Sequence, residues 1–340
     1  MRILHLPLEI AGQAGALSGA VKPYGHEAIG LNYFHTYLNY RENLIPADGM
    51  EIVNVMGEAI RHFDFFHYHY LLTAMTDYRD LEMLAEAGKP ALMHHWGSDV
   101  RTNKAMEVNP YLKSGFVDEQ KTHEQLMKVS RYISTALVQD YEVLPFVKPY
   151  YRKVHVLPLA LDTSRFVPAY PNPMQRNPLV VHAPTQPEFK GTDVIEQAIE
   201  SLQREIPFRY KRVKNMSYEE AKNVYRQADI IVDQIVTGSY GRFCVESMAY
   251  GKPVIAFVRD DLMRMYGYPP PICNANPDTF HDVLKELLLH PEKRYWTGVA
   301  SRKFAVKMHD SLRVGARLVK IYEEIMSNAP RRGSSSAVNL

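Results

Sequence analysis

Short apolar segments alternate with longer amphipathic segments along most of this chain, and this alternation constrains the fold more than any other feature. Strands that alternate with helices pair in parallel, and the crossover helices then cover both faces of the sheet. In the first half, strands are predicted at 3–7, 51–55, 63–70, 90–94, 132–138 and 153–157, and helices at 12–24, 58–62, 81–87 and 122–129. The first half is therefore predicted to form a doubly wound α/β domain.

A proline-rich stretch at 166–178 interrupts the alternation. Its four prolines exclude a continuous helix or a central strand, because proline lacks the backbone N–H that both structures use. The alternation then restarts, with predicted strands at 179–182, 208–213, 229–233 and 253–257 and helices at 192–204, 217–226, 243–250 and from 278 to about 326. The sequence therefore predicts two Rossmann-like domains that face a central cleft, over 1–165 and 179–327, with 166–178 as the linker and 328–340 as a disordered tail.

The composition excludes several classes of function. The chain has 40 Lys and Arg against 38 Asp and Glu, a formal net charge of +2, so no general positive field directs it to nucleic acid. Two cysteines are too few for a disulfide framework or a four-cysteine zinc site, and they favour a reducing cytoplasmic location. The first residues show no cleavable signal and no window of 18 apolar residues is free of charge, so we expect neither secretion by that route nor a membrane span.

The sequence also lacks the motifs of several common enzyme classes. No Gly-x-Gly-x-x-Gly follows a predicted strand and no Gly-x-x-x-x-Gly-Lys-Ser/Thr is present, which disfavours dehydrogenases and P-loop ATPases. The His-Glu-x-x-His of zinc proteases and the Gly-x-Ser-x-Gly of esterases are missing as well. Without an Asp-x-Asp pair to hold a divalent cation against a diphosphate, no metal and no cofactor are predicted.

Three loops that follow predicted strands carry residues suited to bind an anion, because open parallel sheets bind ligands at the carboxyl ends of their strands. Lys190 lies directly before a helix that begins at Thr192, so it is placed to hold a phosphate; a solvated loop lysine of small structural value is the alternative. The N–H groups of 241–244 begin another short helix, with Glu246 in its first turn, where complementing the helix dipole is the alternative. The small residues 12–15 favour close backbone approach and core packing equally.

The segment 228–254 resembles the nucleotide-sugar site of retaining GT-B glycosyltransferases, especially glycosyltransferase family 4. The family pattern is Ala-Asp, an apolar strand, Glu, seven residues and Glu-Ala-Met-Ala-x-Gly-x-Pro-Val, and the matching residues here are Ala228, Asp229, Glu246, Met248, Ala249, Gly251, Pro253 and Val254. Lys190-Gly191 and the segment 158–168 are similar to further family motifs in the same order. The resemblance covers about 1–327 and implies a GT-B fold with an acceptor-binding first domain and a donor-binding second domain.

The resemblance also implies roles for individual residues. Lys190, Arg242 and the N–H groups around Gly241 would stabilise the diphosphate, and Glu246 would accept hydrogen bonds from the ribose. The residues that the resemblance places around the nucleotide are Gly12, Gln13, Thr185, Lys190, Tyr240, Gly241, Arg242, Phe243 and Glu246. His94 or His95, with Asp99, would line the reacting sugar, and spacing does not choose between the two histidines.

Two features depart from the family pattern or invite another interpretation. Gly238 stands where the family has its first Glu, and we expect that it is there because the loop needs a positive φ at this position. His67, His69, His94 and His95 form a cluster at two strand ends, for which neutral, hydrogen-bonded rings are favoured over a zinc site.

The sequence thus predicts retaining transfer of a sugar, hexosyl or N-acetylhexosaminyl, from a nucleotide diphosphate sugar such as a UDP-sugar to an acceptor hydroxyl, in bacterial glycan or glycoconjugate synthesis. The acceptor is a glycan, a lipid-linked molecule or a small molecule, and a peripheral membrane contact and the oligomeric state stay open. A nucleotide-sugar 2-epimerase of the same build, or a non-catalytic partner that binds a sugar nucleotide, are the alternatives.

Overall fold

The computed structural model describes residues 1–34, 40–113 and 117–328, and within them two parallel sheets. The first sheet has the strand order β3-β2-β1-β4-β5-β6-β7. Its strands are β1 (Arg2–Leu6), β2 (Glu27–Asn32), β3 (Leu44–Pro46), β4 (Phe65–His69), β5 (Ala91–His95), β6 (Thr135–Val138) and β7 (Lys153–Val156). Its helices are α1 (Gln13–Val21), α2 (Gly49–His62), α3 (Arg79–Glu86), α4 (Ala105–Val108), α5 (Glu119–Ser130) and α6 (Leu144–Val147).

The second sheet has the order β12-β11-β10-β8-β9. Its strands are β8 (Leu179–His182), β9 (Arg209–Arg212), β10 (Ile230–Val232), β11 (Val254–Ala256) and β12 (Cys273–Asn274). The helices that follow in the chain are α7 (Pro187–Lys190), α8 (Thr192–Gln203), α9 (Tyr218–Gln227), α10 (Arg242–Ala249), α11 (Asp260–Met265), α12 (Phe280–Leu289), α13 (Pro291–Met308) and α14 (Ser311–Asn328). Residues 166–178 form neither helix nor strand.

Each sheet has one point at which the strand order reverses direction, and ligands bind beside such points at the carboxyl ends of the strands. The reversal lies between β1 and β4 in the first sheet and between β8 and β10 in the second. The connection after β8 contains Lys190 at the end of α7, the loop after β10 contains residues 233–241, and the loop after β1 contains Gly12. The topology therefore brings three loops with predicted binding residues to the edges where ligands are expected.

The prediction of a strand at 51–55 is wrong, because this segment lies inside α2. Asp48 caps the helix: its side chain accepts a hydrogen bond from the backbone N–H of Glu51 at 2.8 Å, and the Glu51 carboxylate accepts one from the Asp48 N–H at 2.8 Å. This reciprocal pair is the capping box that fixes a helix start. Strands β2, β3 and β12 were not predicted; β3 and β12 have only three and two residues.

The last helix, α14, packs on α1 of the first domain, with Gly315 against the backbone of Ala20. Its buried Tyr322 reaches the first sheet, where the hydroxyl lies 2.6 Å from His67 Nδ1. The chain therefore returns to its first domain after building the second. The predicted disordered tail, 328–340, lies outside the described residues except for Asn328. No helix in the described part of the chain has the length and apolarity needed to cross a bilayer.

Candidate functional site

Lys190, at the end of α7, is held by two groups that follow β10. Its Nζ lies 2.5 Å from Asp233 Oδ1 and 2.9 Å from Gln234 Oε1. The Lys190 side chain is 15% exposed and that of Asp233 is fully buried. The alternative of a solvated lysine with little structural value is therefore wrong, because the ammonium neutralises a carboxylate that water does not reach.

The loop from β10 to α10 contains Gly238 in a left-handed conformation, with φ +82°. This confirms the prediction of a positive φ at this position. A Cβ there would lie 2.8 Å from Arg259 Cγ and 3.1 Å from Asn109 Nδ2, so the loop has no room for a larger side chain. Gln234 Nε2 donates to the Ser239 carbonyl, which ties this loop to the residue that also holds Lys190.

The helix α10 begins at the N-cap Gly241, which no described side chain caps. The first N–H groups of a helix have no partner within the helix and attract negative charge. Arg242 donates through Nε to Glu246 Oε1 at 2.6 Å, and Glu246 is 3% exposed. A second donor, the hydroxyl of Tyr218, lies 2.6 Å from the same oxygen. Glu246 is thus an oriented side chain in the second turn of α10, so its predicted position in the first turn is wrong because the helix begins at Arg242.

Sequence reasoning missed Tyr218, although the capping box of Ser217 and Glu220 places it at the first position of α9. Burial raises the pKa of its hydroxyl, which keeps it protonated as a donor to Glu246. The Arg242 guanidinium lies over the rings of Tyr40 and Tyr218, at 4.8 and 5.6 Å from the centroids, and Nη1 donates to the Ala11 carbonyl of the first domain. Arg242 therefore connects the two domains across the cleft.

Three other predicted nucleotide-binding residues, Thr185, Tyr240 and Phe243, differ in exposure and in the groups that they contact. Thr185 is exposed in the loop after β8. The Tyr240 side chain is buried, and its hydroxyl lies 3.2 Å from His309 Nε2. The Phe243 ring packs at 4.6 Å from the ring of Tyr225. Of these three side chains, only that of Thr185 is solvent-exposed.

In the first domain, Gly12 has φ +75° and precedes α1 directly. Gln13 is buried, and its amide forms two hydrogen bonds with the backbone of Ala160, at 2.8 and 3.1 Å. Its side chain therefore anchors the segment before the linker. Glu9, which the sequence did not suggest, accepts the N–H of Gly15 at 2.9 Å, so a carboxylate of this chain already complements the start of α1.

His94 and His95 point to opposite faces of β5, as successive residues of a strand do. His95 uses both ring nitrogens, since Nδ1 lies 2.8 Å from Asp99 Oδ2 and Nε2 lies 3.0 Å from the Tyr151 hydroxyl. The other oxygen of Asp99 accepts the N–H groups of Trp96 and Gly97 at 2.9 Å, which fixes the turn after β5. Both His95 and Asp99 are buried in these contacts.

His94 has one ring nitrogen in use. Its Nδ1 lies 3.2 Å from His67 Nε2, whereas Nε2 is buried and has no partner among the described residues. Its ring stacks on Trp96 at 3.9 Å. Of the two histidines that the sequence left open, His94 is therefore the one with a ring nitrogen that has no hydrogen-bond partner among the described residues.

Ring nitrogens of His5, His67 and His69 lie within 4.8 Å of one another, close enough to share a metal ion. A metal-bound imidazole donates its other N–H to an acceptor. Here Trp96 Nε1, which only donates, lies 3.3 Å from His69 Nδ1. The donor set thus fits a hydrogen-bonded arrangement of neutral rings better than a metal centre.

Two further contacts cross between the domains. Ser239 Oγ donates to Asp140 Oδ2 at 2.6 Å, and Asn109 Nδ2 donates to the Val236 carbonyl at 2.9 Å. Burial, and then the charge of Glu142, raise the pKa of Asp140 to about 6. The loop that carries Gly238 is therefore fastened to the first domain on both sides of that glycine.

No protein-family profile and no curated protein match the sequence. Solved structures do match the fold. Anabaena HepE in complex with UDP has a TM-score of 0.66 at 11% identity, covering 95% of this chain and 100% of that chain. Sucrose-phosphate synthase from Thermosynechococcus elongatus has a TM-score of 0.64 at 12% identity, covering 96% and 99%. The catalytic domain of starch synthase IV from Arabidopsis thaliana, bound to ADP and acarbose, has a TM-score of 0.64 at 11% identity, covering 96% and 98%. The predicted GT-B fold, with two Rossmann-like domains, is confirmed.

Proposed function

We propose that this GT-B protein is a glycosyltransferase that moves a sugar from a nucleotide diphosphate sugar, a UDP-sugar, to an acceptor hydroxyl with retention at the anomeric carbon. The observation that carries the proposal is the convergence of Lys190, the uncapped start of α10 and Glu246 beside the reversal point of the second sheet. Gln234 lies between Lys190 and the start of α10: its Oε1 accepts from Lys190 and lies 4.0 Å from the position that a Cβ of residue 241 would take. Glu246 is linked to the same helix start through Arg242.

This arrangement suits the charge that develops when a glycosidic bond to a diphosphate breaks. The leaving diphosphate gains negative charge, and preorganised donors in a largely buried site stabilise such charge strongly. Lys190 supplies a cation, the start of α10 supplies N–H groups, and Arg242 supplies a second cation beside Gly241. These groups perform the task without requiring a metal ion.

The remaining predicted roles follow the same geometry. Glu246, held by Arg242 and Tyr218, has a fixed carboxylate for two adjacent ribose hydroxyls. His94 supplies the contact to the reacting sugar, since its Nε2 has no described protein partner. Gly238 leaves the sugar without the family's first carboxylate, so donor selection depends on other groups. No side chain is assigned as a nucleophile, and the acceptor then attacks on the face that the leaving group occupies.

The neighbouring solved structures support a nucleoside diphosphate sugar as the donor, and HepE supports UDP as its nucleotide. HepE has been crystallised with UDP and with UDP-glucose, and starch synthase IV with ADP. We propose the same class of donor for this chain, with a glycan, lipid-linked or small-molecule acceptor and a cytoplasmic location.

Incubation with a panel of UDP-sugars tests the proposal. A transferase releases UDP slowly by donor hydrolysis and faster with an acceptor, whereas a 2-epimerase interconverts the sugars and a binding protein does neither. The Lys190→Ala variant should lose UDP release, and Lys320→Ala, at an exposed lysine of α14, serves as the matched control. A protein that neither turns over nor is stabilised by any UDP-sugar would refute the proposed function.

A further inference from the structure

A cluster of aromatic and imidazole side chains lies at the carboxyl ends of β1, β4 and β5, beneath the last helix. Four histidines are buried there, with exposures of 0–1%, and three of the rings stack with centroids 4.3–5.3 Å apart. A tryptophan and a tyrosine complete the cluster. Its members are His5, His67, His69, His94, Trp96 and Tyr322.

The four imidazoles are neutral at physiological pH. Burial lowers the pKa of His5 to about 3 and lowers those of His67, His69 and His94 well below their usual value. A neutral imidazole carries one N–H donor and one bare nitrogen that accepts. Fixing the direction of one hydrogen bond in a series of such rings therefore fixes the direction of the next.

Trp96 fixes the first direction, because an indole N–H donates and never accepts. Its Nε1 lies 3.3 Å from His69 Nδ1, so that nitrogen is bare and His69 carries its proton on Nε2. His69 Nε2 then donates to His5 Nδ1 at 3.0 Å, which leaves the proton of His5 on Nε2. That N–H faces the Tyr322 oxygen at 3.5 Å.

The same direction continues on the other side of Tyr322. Since its oxygen accepts from His5, its hydroxyl proton goes to His67 Nδ1 at 2.6 Å. His67 is then protonated on Nε2, which donates to His94 Nδ1 at 3.2 Å. The series ends on the Nε2–H of His94, a buried donor without a partner among the described residues.

We propose that Trp96 and Tyr322 are positioning residues that set the tautomer of His94, so that its Nε2 is presented as a hydrogen-bond donor to a hydroxyl oxygen of the bound sugar. Reversing the series would point an N–H of His69 at the indole N–H, so Trp96 alone makes one direction favourable. A donor at His94 selects a ligand oxygen that accepts, whereas the opposite tautomer would select one that donates. The identity of the ligand as a sugar rests on the proposed function, whereas the predicted histidine tautomers follow from the hydrogen bonds alone.

The tautomers are measured by long-range ¹H–¹⁵N correlation spectra of the ¹⁵N-labelled protein, in which the two neutral tautomers of histidine are distinct. In the unsubstituted protein at pH 7, His5, His67, His69 and His94 are all expected as the Nε2–H form. An Nδ1–H form at His67 or His94 would overturn the inference, and this measurement needs no variant to fold.

Two substitutions then divide the series at different points. Trp96→Phe removes the donor that sets the direction, so all four rings should become mixtures of tautomers. Tyr322→Phe removes the link in the middle, so His69 and His5 should keep the Nε2–H form while His67 and His94 become mixtures. A purely structural role would not separate the rings in this order.

Trp296→Phe and Tyr24→Phe, at side chains 65% and 40% exposed, are the matched controls and should leave all four signals unchanged. An unmoved His94 in folded Trp96→Phe, or four equally affected rings in Tyr322→Phe, would overturn the inference. Turnover of UDP-sugars decides the proposed function separately. Predicted tautomers without turnover would refute that function alone, and turnover with mixed tautomers in the unsubstituted protein would refute this inference alone.

Discussion

Gly238→Ala tests whether the loop between β10 and α10 requires its left-handed residue. At φ +82°, an L-residue costs about 1–2 kcal/mol in backbone strain. The new Cβ would also lie 2.8 Å from Arg259 Cγ. Arg259 cannot turn away freely, since its guanidinium holds Asp261 at 2.7 and 3.0 Å. Overpacking of this kind adds about 1–3 kcal/mol.

We therefore expect Gly238→Ala to lower the free energy of unfolding by about 2–5 kcal/mol, which at about 2–4 °C per kcal/mol corresponds to a Tm decrease of roughly 4–20 °C. Substitutions at two other glycines separate the backbone strain from the overpacking. Gly25 has φ +78° and no atom within 4 Å of the position that a Cβ would take, so Gly25→Ala carries the backbone cost alone. Gly241 has φ −110° and its nearest contact at 4.0 Å, so Gly241→Ala carries neither. Denaturant unfolding should rank the losses as Gly238, then Gly25, then Gly241.

Donor turnover by Gly238→Ala and Gly238→Glu should fall together, because both variants displace the loop that holds Gln234 and the start of α10. A Gly238→Ala protein with unchanged Tm and turnover would refute the reasoning. A stable Gly238→Glu protein with altered donor preference would show that the loop accepts the family's carboxylate.

Three further outcomes test the site. Lys190→Ala should lower kcat/KM for the donor by about 10²- to 10³-fold. Because it strands the buried Asp233 carboxylate, it should also lower the free energy of unfolding by about 3–5 kcal/mol; near-normal turnover would leave Lys190 a structural role only. Donor hydrolysis should survive EDTA, and a complete loss that Mn²⁺ or Mg²⁺ restores would contradict metal independence. Since the pKa of Asp140 is raised to about 6, its protonated form stabilises the fold fully below about pH 4 and this contribution is lost as the pH rises through 6. Relative to Asp140→Asn, the unsubstituted protein should lose about 2 kcal/mol between pH 4 and 7, and parallel unfolding profiles would contradict this.

Local sequence patterns predicted individual strands and helices well where the segment was long or carried a motif. The strand 179–182 coincides with β8, and the loops around Lys190 and Gly241 follow strands of the second sheet as expected. These features depend on residues close together in the chain. Periodicity and turn chemistry of neighbouring residues are what such patterns report.

The segment 51–55 shows where the same reasoning fails. Its apolar residues fit a strand and a buried helix face equally, because five residues are too few to separate the two periods. The deciding signal lay just outside it, in the spacing of Asp48 and Glu51. A search for helix caps before assigning short apolar segments would have given α2.

Pairings between distant residues were beyond prediction, and they determine the chemistry of the site. Nothing near Lys190 in the sequence indicates that Asp233, 43 positions later, is fully buried against it. Nor does the sequence show that Tyr322 would reach His67, 255 positions earlier, through the return of the last helix. The predicted strand ends and the glycines that follow them located the loops where a ligand is expected to bind. The protonation of each group there depends on partners that only the closed fold brings together. The choice between His94 and His95 therefore stayed open in the sequence. The structure favours His94, because both ring nitrogens of His95 have protein partners and Nε2 of His94 has none among the described residues.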